Sequence, residues 1–181
     1  MKKYLLVIFL VAILLTLAGC REEPPTTTLM VYMVGSDLES KSGAGTQDLQ
    51  EMANSGVDLS HVNVLVYAGG SPTWHNDLLQ PEEHALLWLT EEGFTPITTT
   101  PAYSMGDGQC LSSFLHYGYE NFPADRYALI LWDHGNGPVI GYGKDMLFDN
   151  DCLTLQEMSQ AMAASPFGEE NKLAWVALMP A

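Results

Sequence analysis

An open, mostly parallel α/β sheet with flanking helices and an antiparallel hairpin insert is the fold this sequence predicts, on three observations. Residues 29–34, 62–68 and 127–132 are almost continuously apolar runs that stop at glycine or at Asp133-His134-Gly135. Strands covered on both faces of a parallel sheet have this look. Between the first two runs lie apolar residues at helical spacing, giving strand, helix, strand within about 40 residues, the pattern of a parallel crossover. Residues 85–90 and 94–99, joined by Glu91-Glu92-Gly93, read instead as an antiparallel hairpin.

The elements follow in chain order. Lys2 and Lys3 precede an apolar run, residues 4–17, that is too short for a membrane span of about 20 residues and has the layout of a secretory signal peptide. Leu17-Ala18-Gly19-Cys20 then matches the bacterial lipobox, whose cysteine is lipidated and becomes the new N-terminus. Residues 1–19 are therefore expected to be removed, with Cys20 as the lipid attachment point. A free cysteine closing an uncleaved membrane anchor is the less favoured reading. Residues 20–28, with Pro24, Pro25 and three threonines, cannot pack a core and read as a tether. Both readings place residues 29–181, a single domain, outside the cytoplasm, lipid-anchored at the outer face of the bacterial cytoplasmic membrane on the favoured one.

Within that domain residues 29–34 form the first strand, ending at Gly35-Ser36-Asp37. Residues 46–54 carry Leu49, Met52 and Ala53 at helical spacing, and Gly56 stops them. The second strand and the hairpin come next. Leu111, Phe114, Leu115 and Tyr119 mark a helix over residues 108–119, and the third buried strand follows Pro123 and Asp125. A glycine-rich segment, residues 133–138, leads into an acidic loop as far as Asp151. Thr154 and Glu157 have the spacing of a capping box for a helix over residues 154–164. Residues 173–178 start a fourth core strand, within which the sequence breaks off.

Composition narrows the function. The chain of 181 residues is 47% hydrophobic and 16% charged, a globular balance, with a formal charge of −15 that becomes more negative once Lys2 and Lys3 are removed. Nucleic acid as a partner is disfavoured, because phosphates demand clustered Lys and Arg. Basic substrates suit such a chain, as does simple solubility. Cys110 and Cys152 are too few for a disulfide framework and leave only a single bridge open.

Reactive groups of open parallel sheets gather at the carboxyl ends of strands, which selects the segments after Val34 and Trp132. His134 stands at the second, between residues that let a substrate approach the backbone, and its imidazole is suited to act as a base near neutral pH. On position alone, a structural histidine bonded to a loop carbonyl is an equal reading. Asp145, Asp149 and Asp151 lack the EF-hand pattern and read as a solvated loop. His61, His75, His84 and His116 lack metal-ligand spacing and read as surface or boundary residues. Trp74, Trp88, Trp132 and Trp175 read as core or its edge. No cofactor motif is present.

Met30-Val31-Tyr32-Met33-Val34-Gly35-Ser36-Asp37-Leu38-Glu39, then Asp48-Leu49 and Glu51-Met52, residues 123–137 from Pro123 through Trp132-Asp133-His134-Gly135-Asn136-Gly137, and Leu153-Thr154-Leu155 with Glu157 together resemble the clostripain family of cysteine peptidases. The resemblance implies a caspase-like α/β sheet, a Cys-His dyad, cleavage of peptides or proteins after Arg or Lys, and an association with calcium. It implies that His134 is the dyad histidine and Gly135 a source of an oxyanion-binding amide, and it leaves the role of Ser36, Asp37 and Leu38 open. The family's fourth strand continues as Gly-Phe-Asp-Ala-Cys-Leu-Met, whose cysteine is the nucleophile. Here Trp175-Val176 is followed by Ala177-Leu178-Met179-Pro180-Ala181, so the catalytic cysteine is absent. Deleting one base from codons for Gly-Phe-Asp-Ala-Cys-Leu yields Ala-Leu-Met-Pro-Ala and a stop, so a single-base deletion, or a sequencing error of that form, is the expected origin of this ending. Cys110, opening a helix, and Cys152, in a loop, are expected to be inert. The chain is thus expected to be an inactive member of a peptidase lineage, with a non-catalytic binding lipoprotein or an unstable fragment as alternatives.

Overall fold

The computed structural model describes residues 26–168 and 171–179. The expected leader, Cys20 and most of the tether lie outside the described residues. The central element is a six-stranded sheet of order β4-β3-β2-β1-β5-β8, built from β1 (Thr27–Val34), β2 (Val62–Gly69), β3 (Glu83–Thr90), β4 (Gly93–Pro101), β5 (Arg126–Trp132) and β8 (Trp175–Met179). β2, β1, β5 and β8 run parallel, while β3 and β4 are the antiparallel hairpin attached to β2.

Alternation along β1 explains the two-sided core. Met30, Tyr32 and Val34 face one layer with Leu65, Leu129, Leu111, Phe114 and Leu115. Val31 and Met33 face the other, with Val66, Leu49, Trp74 and Trp132. Successive strand side chains point to opposite faces, so a strand buried on both must be apolar throughout. Helix α3 (Gly108–Asn121) and helix α5 (Leu155–Ala164) cover the first layer, and α2 (Ala44–Ala53) the second. Thr154 caps α5 as the spacing predicts: its hydroxyl accepts from Glu157 N–H, and Glu157 returns to the Thr154 amide at 2.9 Å. Asp107 caps α3 by accepting from Gln109 N–H.

Several expectations are corrected. A helix α1 (Ser36–Ser42) intervenes between β1 and α2, where the sequence has only Leu38 as an apolar marker. Gly43, at φ 69°, supplies the left-handed turn that separates α1 from α2. The glycine-rich segment holds a short helix α4 (Gly137–Ile140), and the acidic loop folds into a small hairpin of β6 (Tyr142–Asp145) and β7 (Asp151–Leu153). Cys152 therefore sits in a strand. Asp145 is fully buried, accepting from the amides of Met105 and Leu147, so it is not part of a solvated loop. His84 is buried as well, and burial pushes its imidazole down to about 4. Trp74 and Trp132 are core residues, whereas Trp88 and Trp175 are exposed. Among the described residues no helix is long and apolar enough to cross a membrane.

Register aligns the carboxyl ends of the parallel strands on one rim. Val34 lies opposite Gly69, Met33 opposite Trp132, and Trp132 opposite Met179. The segments that leave β1 and β5 are thereby brought side by side.

Candidate active site

β5 delivers Asp133 and His134 to this rim, and β1 delivers Ser36 and Asp37. Asp133 is fully buried and receives hydrogen bonds from Ser36 Oγ at 2.6 Å and from Lys144 N–H at 2.7 Å. Its own amide donates to the Tyr142 hydroxyl at 2.9 Å. Desolvation raises the Asp133 carboxyl to about 6 despite these donors. His134 is only partly buried, and its Nε2 lies 3.2 Å from Asp37 Oδ1. Lys41, one turn further along α1, binds the other oxygen of Asp37 at 2.9 Å. That hydrogen bond, more than the imidazole of His134, holds the Asp37 carboxyl below its ordinary range.

The start of α1 is tightly constrained. Ser36 is a non-glycine residue at φ 47°, fully buried, with its carbonyl accepting from Ser71 Oγ at 2.9 Å. A Cβ on Gly35 would stand 2.8 Å from both Ser71 and Trp74, so the loop after β2 packs directly on the turn. Glu39 anchors the same helix from below. Its buried carboxylate accepts from Thr46 N–H, Thr46 Oγ1 and His75 N–H at 2.7–2.8 Å.

Tyr142 ties the rim to β8, because its hydroxyl reaches the carbonyls of Leu131 and Met179. Gly135 bridges to Tyr142 through bonds from Gly143 N–H to the His134 carbonyl and from Asn136 N–H to the Gly141 carbonyl. The Gly135 amide takes no part in either. Gly135, Pro138, Tyr142, Leu155 and Leu178 border an open cleft of about 500 Å³ on the α5 side of the rim.

The other sequence candidates are placed elsewhere. Cys110 is buried at the start of α3 and Cys152 is half-buried in β7; both thiols are free, and burial pushes both upward in pKa. Thiols that resist ionisation are poor nucleophiles. His75 contacts Glu39, and His116 contacts the carbonyl of Ala164. Among the described residues no group of three or more His, Cys, Asp or Glu converges to hold a metal ion. The sequence left Asp37 without a role, marked Asp133 and Glu39 only as motif residues, and gave no sign of Tyr142. The four-residue spacing of Asp37 and Lys41 was the one local signal of that pairing; the others depend on contacts between distant segments.

The model of the Clostripain family, peptidase family C11, matches residues 31–172. The chain belongs to the clostripain family. Clostripain of Hathewaya histolytica is 29% identical over 126 residues, which cover 61% of this chain and 23% of that protein. A secreted C11 cysteine protease from Bacteroides thetaiotaomicron, solved with an irreversible peptide inhibitor, superposes with a TM-score of 0.66 at 21% identity, covering 86% of this chain and 42% of its own. An inactive zymogen C11 protease from Parabacteroides distasonis gives a TM-score of 0.55 at 17% identity, covering 87% and 43%. The fold is the caspase-like one of clostripain-family proteases. The chain spans less than half the length of each of these relatives.

Proposed function

We propose that this chain is the part of a clostripain-type cysteine endopeptidase that supplies the histidine of the dyad. One observation carries the reading: His134 stands on the rim where β5 and β8 end together, in a chain of this peptidase family. The family's nucleophile motif, laid on the sequence after Val176, puts its cysteine at position 181 and its aspartate at position 179. A thiolate there would attack the scissile carbonyl, with His134 taking the thiol proton and returning it to the leaving amine. The Gly135 amide, outside its local bridge, is available to the oxyanion. Substrates are peptides cleaved after Arg or Lys, in keeping with the acidic chain. Export and lipid attachment at Cys20 hold the domain at the outer face of the cytoplasmic membrane.

With Ala181 in place of cysteine, the 181-residue chain performs no thiol-dependent hydrolysis, since neither Cys110 nor Cys152 is placed or ionised for it. Purified chain should leave Arg- and Lys-containing fluorogenic peptides intact. Turnover abolished by iodoacetamide would overturn that statement. To test His134, a thiol is introduced by Ala181→Cys and its alkylation rate is followed against pH. An adjacent imidazole should make it react well below the ordinary thiol pKa of about 8.5, and adding His134→Ala should remove the advantage. Equal profiles with and without His134 would refute the dyad assignment.

A further inference from the structure

Adjacent residues of α1 grip adjacent residues at the end of β5: Ser36 holds Asp133 at 2.6 Å, and Asp37 holds His134 Nε2 at 3.2 Å. The helix bearing both is fixed on its other side by the buried Glu39 carboxylate and its donors from Thr46 and His75. Lys41 occupies the second oxygen of Asp37, which fixes the plane of the carboxylate and leaves Oδ1 for the ring. His134 Nδ1 has no hydrogen-bond partner among the described residues.

We infer that Asp37 is a positioning residue for His134, the third member of the constellation, accepting the Nε2 proton so that Nδ1 faces the reacting thiol. This deepens the dyad reading and rests on it for its catalytic meaning, although the contact itself does not. A carboxylate on the far side of an imidazole fixes ring orientation and stabilises the imidazolium formed when the thiol proton is taken. Asp37 suits this role because it is ionised: Lys41 and the imidazole both favour its charged form. An uncharged acceptor would orient the ring without stabilising its cation. Exposure screens the pair, so its value lies in geometry and in the charge developed during reaction, more than in stability.

Two measurements test it. In the unsubstituted chain the Asp37 carboxyl is titrated by carbon-13 NMR, and again in His134→Ala. Loss of a neighbouring imidazolium should move the Asp37 titration upward, and an unchanged titration would overturn the proposal. Should His134→Ala fail to fold, His134→Gln, uncharged and of similar size, gives the same comparison. In the Ala181→Cys chain, Asp37→Ala should slow alkylation at neutral pH roughly tenfold through ring misplacement, and Asp37→Asn, whose amide oxygen still accepts from Nε2, should restore part of the rate. A rate unaffected by Asp37→Ala, while His134→Ala abolishes the advantage, would overturn the role of Asp37 and leave the dyad standing. No advantage from His134 itself would instead refute the dyad, with the carboxyl titration still deciding the contact.

Discussion

Asp133 illustrates how one carboxyl can set the pH response of the rim. Its ordinary value of 3.8 is raised to about 6 because burial outweighs the donors from Ser36 and Lys144. Between those values the folded chain keeps a proton that the unfolded chain has released. The stabilisation is therefore full below about pH 4 and is lost as pH rises through about 6, with an upper size of about 3 kcal/mol. Asp133→Asn keeps an acceptor and has no proton to lose. Relative to the unsubstituted chain, the variant should gain stability steadily from pH 4 to pH 7, read from urea midpoints at each pH. A difference that stays constant across that range would mean that Asp133 titrates ordinarily. His134, the neighbouring residue, was legible in the sequence because a histidine after a buried strand is a rim residue. The state of Asp133 was not, since its burial is produced by Ser36 and Tyr142 from other segments.

Among elements, α1 shows where sequence patterning stops being informative. Ser-Asp-Leu-Glu-Ser-Lys-Ser has no apolar stripe, and helices are recognised by such stripes. It is held instead by a buried carboxylate, and Glu39→Ala would leave the Thr46 amide and hydroxyl and the His75 amide without their acceptor. Each unmet buried donor costs on the order of 1–3 kcal/mol, with partial relief from water near the half-exposed His75. A loss of about 2–4 kcal/mol in chemical denaturation is expected; a loss below half a kilocalorie would show that the clamp contributes little. The three central strands, the β3–β4 hairpin and the capping box of α5 were readable because period, turn residues and cap spacing are local. β6 and β7 were not, because a four-residue strand and a three-residue strand carry too little periodicity to stand out from an acidic loop.

For the whole molecule the two edges of the sheet are unequal. β4 carries Pro96 and Pro101 among threonines, and proline on an edge blocks further strand pairing. β8 is Trp-Val-Ala-Leu-Met with no charge, and among the described residues its one paired neighbour is β5. Trp175, Val176 and Leu178 are each about half exposed. Apolar clefts flank it on both faces, one bordered by Leu155, Met158 and Leu178 and the other by Met52, Ile130 and Met179. Such an edge is a template for another strand, so the 181-residue chain should self-associate through β8. The formal charge of −15 opposes contact between copies and is screened by salt, so association should strengthen as ionic strength rises. Sedimentation velocity over a concentration series should show the weight-average mass growing. Leu178→Lys should hold the chain at monomer mass by placing a charge on the open strand, whereas Ile97→Lys on β4 should leave the association as it was. A chain that stays monomeric at every concentration and salt level, or Leu178→Lys and Ile97→Lys variants that behave alike, would show that β8 is not the associating edge.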